Sequence, residues 1–269
     1  MMTFIPVGGL ANRMRSIHSA ISLCENDDLQ IYWFKDQGLN CRFEHLFKPI
    51  PLPHVMLKEA SFRDKILYDR PRKKNLYIPK LYQRLRFDAC LYEDETMKGR
   101  LDYQQWKKEY DSVYLASYNQ FYPPTTDLKD LFIPIESIQN KIENVCSAYT
   151  MQTVGIHIRR GDHDIAIRRS PIELFIAEME KEIEKEPLTN FYLATDSEAE
   201  KAMLIKRFGV RIITSKDAAI RNTTEGIQDA VVDLYALSRT HKILGSFYSS
   251  FSEIAAQLGS CDLQILTLL

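Results

Sequence analysis

Three short polar clusters in the second half of this 269-residue chain hold residue types that can do chemistry. The first is His157-Ile158-Arg159-Arg160-Gly161-Asp162, at the end of an apolar run, 153–158, that reads as a strand. Side chains alternate along a strand, so His157 and Arg159 share one face and Ile156 and Ile158 the other. An arginine at a strand end offers a planar fork of donors matched to phosphate oxygens. Gly161 allows a sharp turn, and Asp162 can hold an arginine or a ligand hydroxyl. An ion pair from Arg159 or Arg160 to Asp162 that only closes the turn is the plainer alternative.

The second cluster is Thr195-Asp196-Ser197, directly after a predicted strand at 190–194. One residue there can cap the following helix while its neighbour faces a ligand. The third, Ser249-Ser250-Phe251-Ser252-Glu253, leads into a predicted helix at 252–258. A helix N-terminus with hydroxyls and open N–H groups is an anion site; Ser250 and Glu253 also stand at capping-box spacing. In the first half, Gly8-Gly9-Leu10-Ala11-Asn12-Arg13 lies between a predicted strand and a helix. Glycines there let the backbone approach a diphosphate, to which Asn12 and Arg13 can donate. The string is neither GxGxxG nor a Walker loop. Asp162-His163-Asp164 has the form of a metal-chelating acid pair, but the flanking arginines already suffice to neutralise a diphosphate. His18, His45, His54 and His241 have no partner at metal-ligand spacing, so no metal is expected.

These clusters need strands and helices to position them. Strands are predicted at 3–7, 29–35 and 113–118, with a helix at 11–24 and another at 134–149 that joins two halves. The second half alternates strands (153–158, 190–194, 210–214, 242–245) with helices (a segment entered through Ser170-Pro171-Ile172-Glu173, then 198–208, 224–240 and 252–258). The Ser170–Glu173 string has capping-box spacing, and Gly209 and Gly259 stand where helices must stop. Such alternation implies an α/β protein with parallel sheets. Residues 36–111 are irregular and rich in Tyr, Lys and Arg, and no element is placed there. The domains expected are 1–149 and 150–269.

Composition narrows the class. Hydrophobic residues make up 45% and charged residues 26%, with a formal net charge of −1. That is ordinary globular composition and excludes a globally basic nucleic-acid binder. Cys24, Cys41, Cys90, Cys146 and Cys261 are scattered singly, which reads as reduced thiols. The N-terminus lacks the charge-then-apolar order of an export signal, so a cytoplasmic protein is expected. The window 63–86 carries nine Lys or Arg against Asp64 and Asp69. It is either a solvated loop or a docking surface for the inner face of a membrane or for a lipid-linked glycan.

Taken together, the four motifs resemble those of the fucosyltransferase superfamily, which includes α1,2- and α1,6-fucosyltransferases and protein O-fucosyltransferases. The resemblance rests on His157-x-Arg159-Arg160-Gly161-Asp162, on Ala194-Thr195-Asp196-Ser197, on Ser249-Ser250-Phe251-Ser252, and on the Gly8–Arg13 loop. It implies a GT-B fold, two Rossmann-like domains with a donor cleft between them. It also implies an inverting, metal-independent transfer of fucose from GDP-fucose to a glycan or glycoconjugate acceptor. As GDP departs, Arg159 is expected to stabilise the charge on the leaving diphosphate, and Asp162 and Asp164 are the candidate bases. Gly9, Asn12, Arg13, His157, Arg160, Asp196, Ser197, Ser249, Ser250 and Ser252 line the donor site. The chain departs from the family where Glu253-Ile254-Ala255 replaces the tryptophan-rich continuation of α1,2 enzymes, and throughout 36–111.

Overall fold

The apolar run at the N-terminus forms β1 (Met2–Pro6), buried along its whole length. The Gly8-Gly9 turn then leads into α1 (Leu10–Cys24). In the computed structural model, which describes residues 1–96, 101–161, 164–215 and 223–268, the chain divides into units Met1–Ile133 and Pro134–Leu269. The first unit continues with β2 (Leu29–Trp33), β3 (Val55–Glu59), α2 (Phe62–Tyr68), α3 (Ile78–Arg86) and β4 (Ala89–Leu91). It closes with α4 (Glu93–Thr96), α5 (Tyr103–Glu109), β5 (Val113–Ser117) and α6 (Leu128–Leu131). Its five strands run parallel in the order β3-β2-β1-β5-β4. Parallel strands are covered on both faces, which is why β1 and β5 read as near-continuous apolar runs.

The segment 36–111, to which no element was assigned from sequence, contains β3, β4 and four helices among its described residues. Its order comes from aromatic packing, which periodicity does not register. Tyr68 stacks on Tyr32 at 4.4 Å and meets Tyr82 edge-on at 5.5 Å. The Tyr114 hydroxyl donates to the Tyr68 carbonyl over 2.9 Å. Gln83, fully buried in α3, donates to the carbonyls of Leu67 and Asp69 (3.2 and 2.9 Å) and accepts from the Tyr92 hydroxyl (3.1 Å). A buried polar side chain fixed at three points holds α2 and α3 in register.

The second unit comprises α7 (Glu136–Cys146), β6 (Val154–Ile158), α8 (Asp164–Arg169), α9 (Ile172–Lys185), β7 (Phe191–Thr195) and α10 (Glu198–Phe208). It continues with β8 (Ile212–Ile213), α11 (Thr224–Ser238), β9 (Lys242–Ser246), α12 (Ser250–Gly259) and β10 (Asp262–Leu266). Its sheet is parallel, in the order β10-β9-β6-β7-β8. Val154, Ile156 and Ile158 of β6 pack with Phe175 and Met179 of α9 and with Leu193 and Leu244 in one core cluster. The helix read as joining the halves, α7, lies in this unit against α11.

Three local expectations are corrected. Ser170 is not a helix cap: Pro171 is the N-cap of α9 and makes no side-chain cap. The Ser170 hydroxyl instead donates to the Leu266 carbonyl and accepts from the Phe247 N–H at 2.8 Å, fastening β9 and β10 to the start of α9. The predicted strand at 210–214 begins in a 3-10 turn, Gly209–Arg211, and only Ile212–Ile213 are strand. Gly259 does not stop α12, which ends at Ser260 with φ 52°. A Cβ on Gly259 would lie 1.8 Å from the Ser238 carbonyl oxygen, so the glycine permits α12 to cross the end of α11 at backbone contact.

Candidate functional site

Open parallel sheets bind ligands beyond the carboxyl ends of their strands, at the point where strand order reverses. In the second unit that point lies between β6 and β9, which are neighbours although β7 and β8 follow β6 in sequence. The segment after β6 contains Arg159, Arg160 and Gly161. The segment after β9 contains Phe247, Tyr248 and Ser249. Tyr248 adopts φ 57°, a left-handed turn that brings the chain round into α12.

Hydrogen bonds tie the two strand ends together. The Arg159 N–H donates to Ser246 Oγ over 3.0 Å. His157 Nδ1 and Ser252 Oγ lie 2.7 Å apart, with both residues buried, and the His157 ring stacks on Phe251 at 4.8 Å. Gly245 makes this contact possible, since a Cβ there would stand 2.7 Å from Ser252 Oγ. His157 of β6 and Ser252 of α12 therefore support one another, and the imidazole's Nδ1 is engaged by protein.

The serine motif sits at the N-terminus of α12, a ten-residue helix. Ser249 is its N-cap residue but makes no side-chain cap, and the buried Ser249 hydroxyl has no hydrogen-bond partner. Capping by Ser250, expected from its spacing to Glu253, is replaced by this arrangement, in which Ser250 is the first helical residue. A buried unsatisfied hydroxyl costs about 1–3 kcal/mol unless something donates to it or accepts from it.

Arg160 is placed differently from Arg159. Its Nε is paired with Glu200, and Nη1 and Nη2 donate to the carbonyls of Arg159 and Ser170, each over 2.9 Å. Its backbone N–H donates to Asp196 Oδ1 over 2.7 Å. The phosphate contact expected of Arg160 is thus corrected to a brace between the β6 turn, α10 and the start of α9. Ser197 caps α10 by accepting from the Glu200 N–H at 3.4 Å. Of the two candidate bases, Asp162 lies outside the described residues, as does His163, and Asp164 is the first residue of α8.

In the first unit the strand order reverses between β1 and β5, beside the Gly8–Arg13 loop. Gly8 has φ 86°. Arg13 is fully buried, and its fork donates to the carbonyls of Gly8 (2.8 Å) and Phe34 (2.5 Å) and to Asp36 Oδ1 (3.0 Å). Burial brings the guanidinium pKa down to about 10, against the opposing pull of Asp36. The expected diphosphate contact of Arg13 is corrected to an internal post: it fastens the glycine turn to the end of β2. Gly9 is the N-cap residue of α1. Asn12 remains available, since its Oδ1 is buried without a partner. Turned over, the same amide presents an N–H₂ donor at that point.

A cavity of about 690 Å³ opens beside Gly8 in this unit, lined among others by Phe34, Asp36, Phe62, Arg70 and Leu76. Sequence reading missed Ser246, Glu200 and Asp36, which position the site. Each is a lone polar residue whose partner is far along the chain, so no local pattern marks it, while the local pattern at Ser170 pointed to a cap in place of its distant partners. Among the described residues no group of His, Cys, Asp and Glu is arranged to hold a metal ion.

No sequence-family model matches the chain, and no curated protein sequence does. Solved structures match its fold. A FUT1 mutant of Arabidopsis thaliana in complex with GDP aligns with a TM-score of 0.65 and 16% identity, over 98% of this chain and 69% of its own. NodZ α-1,6-fucosyltransferase soaked with GDP-fucose gives 0.61 and 16%, over 96% of this chain and 92% of its own; fucosyltransferase NodZ from Bradyrhizobium gives 0.62 and 16%, over 94% and 92%. POFUT1 in complex with GDP gives 0.53 and 11%, over 98% and 97%. The chain has the GT-B-like fold of these fucosyltransferases, with two Rossmann-like halves.

Proposed function

We propose that this protein is an inverting, metal-independent glycosyltransferase that transfers fucose from GDP-fucose to a glycan or glycoconjugate acceptor. The observation that carries the reading is the β6–β9 switch point, where Arg159 and the uncapped serine end of α12 converge on the place parallel sheets use for nucleotides. The fold supports it, being that of fucosyltransferases whose structures hold GDP or GDP-fucose.

Departure of GDP leaves negative charge on the β-phosphate while the sugar takes on oxocarbenium character. Donors fixed in advance at that oxygen stabilise the transition state more than the ground state. Arg159 is assigned this role, with the α12 N–H groups, Ser249 and Ser250 holding phosphate oxygens. Asn12 is assigned a supporting donor role and Asp196 one toward guanine or ribose. Arg160, Ser252 and His157 position these groups, and Asp162 is assigned as the base for the acceptor hydroxyl. Losing one preorganised donor raises such a barrier by about 3–4 kcal/mol, a hundred- to thousandfold in rate.

The test is calorimetric titration of GDP-fucose, with EDTA present, into wild type and Arg159→Ala. Micromolar binding that collapses in the variant, followed by transfer in an acceptor screen, is the expected result. Absence of wild-type binding, or binding only of another nucleotide or only with metal, overturns the donor assignment.

A further inference from the structure

Helix α3 is folded with its apolar stripe outward. Ile78, Leu81 and Leu85 fall at i, i+3 and i+7, the spacing of a single helical face. Yet Leu81 is 70% and Leu85 81% exposed, while the residues that α3 buries are Pro79 and the polar Gln83. A helix packed for its own stability would bury the leucines and expose the glutamine. The same inversion continues into its neighbours: Leu76 in the α2–α3 turn is 79% and Phe62 at the start of α2 80% exposed. Leu76 and Tyr77 are successive residues with positive φ, 49° and 55°, and both are exposed.

Cations share this surface. Arg63, Lys65, Lys73, Lys74, Arg84 and Arg86 are all exposed. The two acids of the window are already engaged, Asp64 by Lys58 at 3.2 Å and Asp69 by Arg72 at 2.7 Å, and so do not neutralise those six. An apolar stripe flanked by cations, with both acids of the window already engaged, matches one partner chemistry closely, a bilayer whose anionic headgroups meet the Lys and Arg while the leucines enter the acyl boundary. Among the described residues no helix is long and apolar enough to cross a membrane. This surface calls only for a helix lying in the interface.

We propose that α2, α3 and the turn between them dock the protein on an anionic lipid surface. The cavity beside Gly8 then opens next to the bilayer, because Phe62, Lys65, Ile66, Lys74, Leu76 and Ile78 belong both to its lining and to this face. The proposal does not depend on the sugar-nucleotide reading, and its failure would leave that reading intact.

The experiment is sedimentation of the full chain with vesicles of phosphatidylcholine alone and of phosphatidylcholine containing anionic phosphatidylglycerol. Wild type should sediment with the anionic vesicles and not with the neutral ones, and lose binding as salt rises. Lys73→Glu with Lys74→Glu should weaken partitioning at least about fivefold for each cation removed. Leu81→Ser with Leu85→Ser should abolish stable binding while leaving the circular dichroism spectrum and melting temperature unchanged, since neither leucine is buried. Equal sedimentation of either variant and wild type overturns the proposal. So does wild type that ignores anionic vesicles. A concentration-dependent dimer dissociated by the leucine variant, without vesicle binding, would assign the face to a second copy of the chain and overturn it as well.

Discussion

Replacing Arg160 by alanine tests whether the two adjacent arginines divide their work, Arg159 toward the diphosphate and Arg160 as a brace within the protein. The change removes a side chain only 10% exposed and leaves Glu200, 17% exposed, without its cation. It also strands the carbonyls of Arg159 and Ser170, which lose donors at 2.9 Å. Breaking a buried ion pair costs roughly 3–5 kcal/mol, and the residual exposure of both partners places this one near 3. With about 2–4 °C per kcal/mol for a chain of this size, melting should fall by about 6–12 °C. Urea unfolding of wild type, Arg160→Ala and Arg159→Ala, each followed by GDP titration on the folded protein, reads both quantities. Arg160→Ala should lose stability chiefly. Arg159→Ala should lose GDP affinity by about tenfold or more, the worth of a charge-assisted hydrogen bond, with the smaller loss of stability. An Arg160→Ala protein as stable as wild type but unable to bind GDP would refute the brace and return Arg160 to the ligand.

Two further outcomes are expected. Gly245→Ala drives a methyl to within 2.7 Å of Ser252 Oγ and should break its bond to His157, lowering stability by about 1–3 kcal/mol in chemical denaturation; wild-type stability would show that the contact yields freely. Asp233, buried and accepting from the Tyr192 hydroxyl, has its pKa pushed up to about 7 by burial. The native state then binds more protons than the unfolded chain between about pH 4 and 7, so stability should fall as pH rises through that window, by up to about 4 kcal/mol. Asp233→Asn should flatten that slope, and an unchanged slope in the variant would mean that another group produces it.

The parallel sheets were legible because strands covered on both faces leave apolar runs, and the runs at 3–7, 113–118 and 153–158 each lie within a residue or two of β1, β5 and β6. The helices α1 and α10 were legible from their periodicity and punctuation. The α2–α3 region was not, because its helices are short, and α3 inverts the rule that an apolar stripe faces inward. In the candidate site, the strand-end polar clusters marked the loops that follow β6, β7 and β9, but residue type could not show which of their donors are spent on the protein. Arg13 carries the same fork of donors as any phosphate-binding arginine; only the carbonyls of Gly8 and Phe34, brought to it by the turn at Asp36, show that its fork is spent on the protein.

Gly259 has a mechanical consequence for the opposite end of its helix. With a backbone carbonyl of α11 where a side chain would otherwise stand, α12 has no clearance to slide or roll at its C-terminal end. The helix is about 15 Å long at 1.5 Å per residue, so it behaves as a short beam clamped at one end. The Ser249–Ser252 turn is the tip of that beam, further stayed by the His157 bond. A small rotation at the clamp would become a larger sideways displacement at the tip. The aim of the serine end is therefore fixed in part by a residue a full helix length away that bears no functional group.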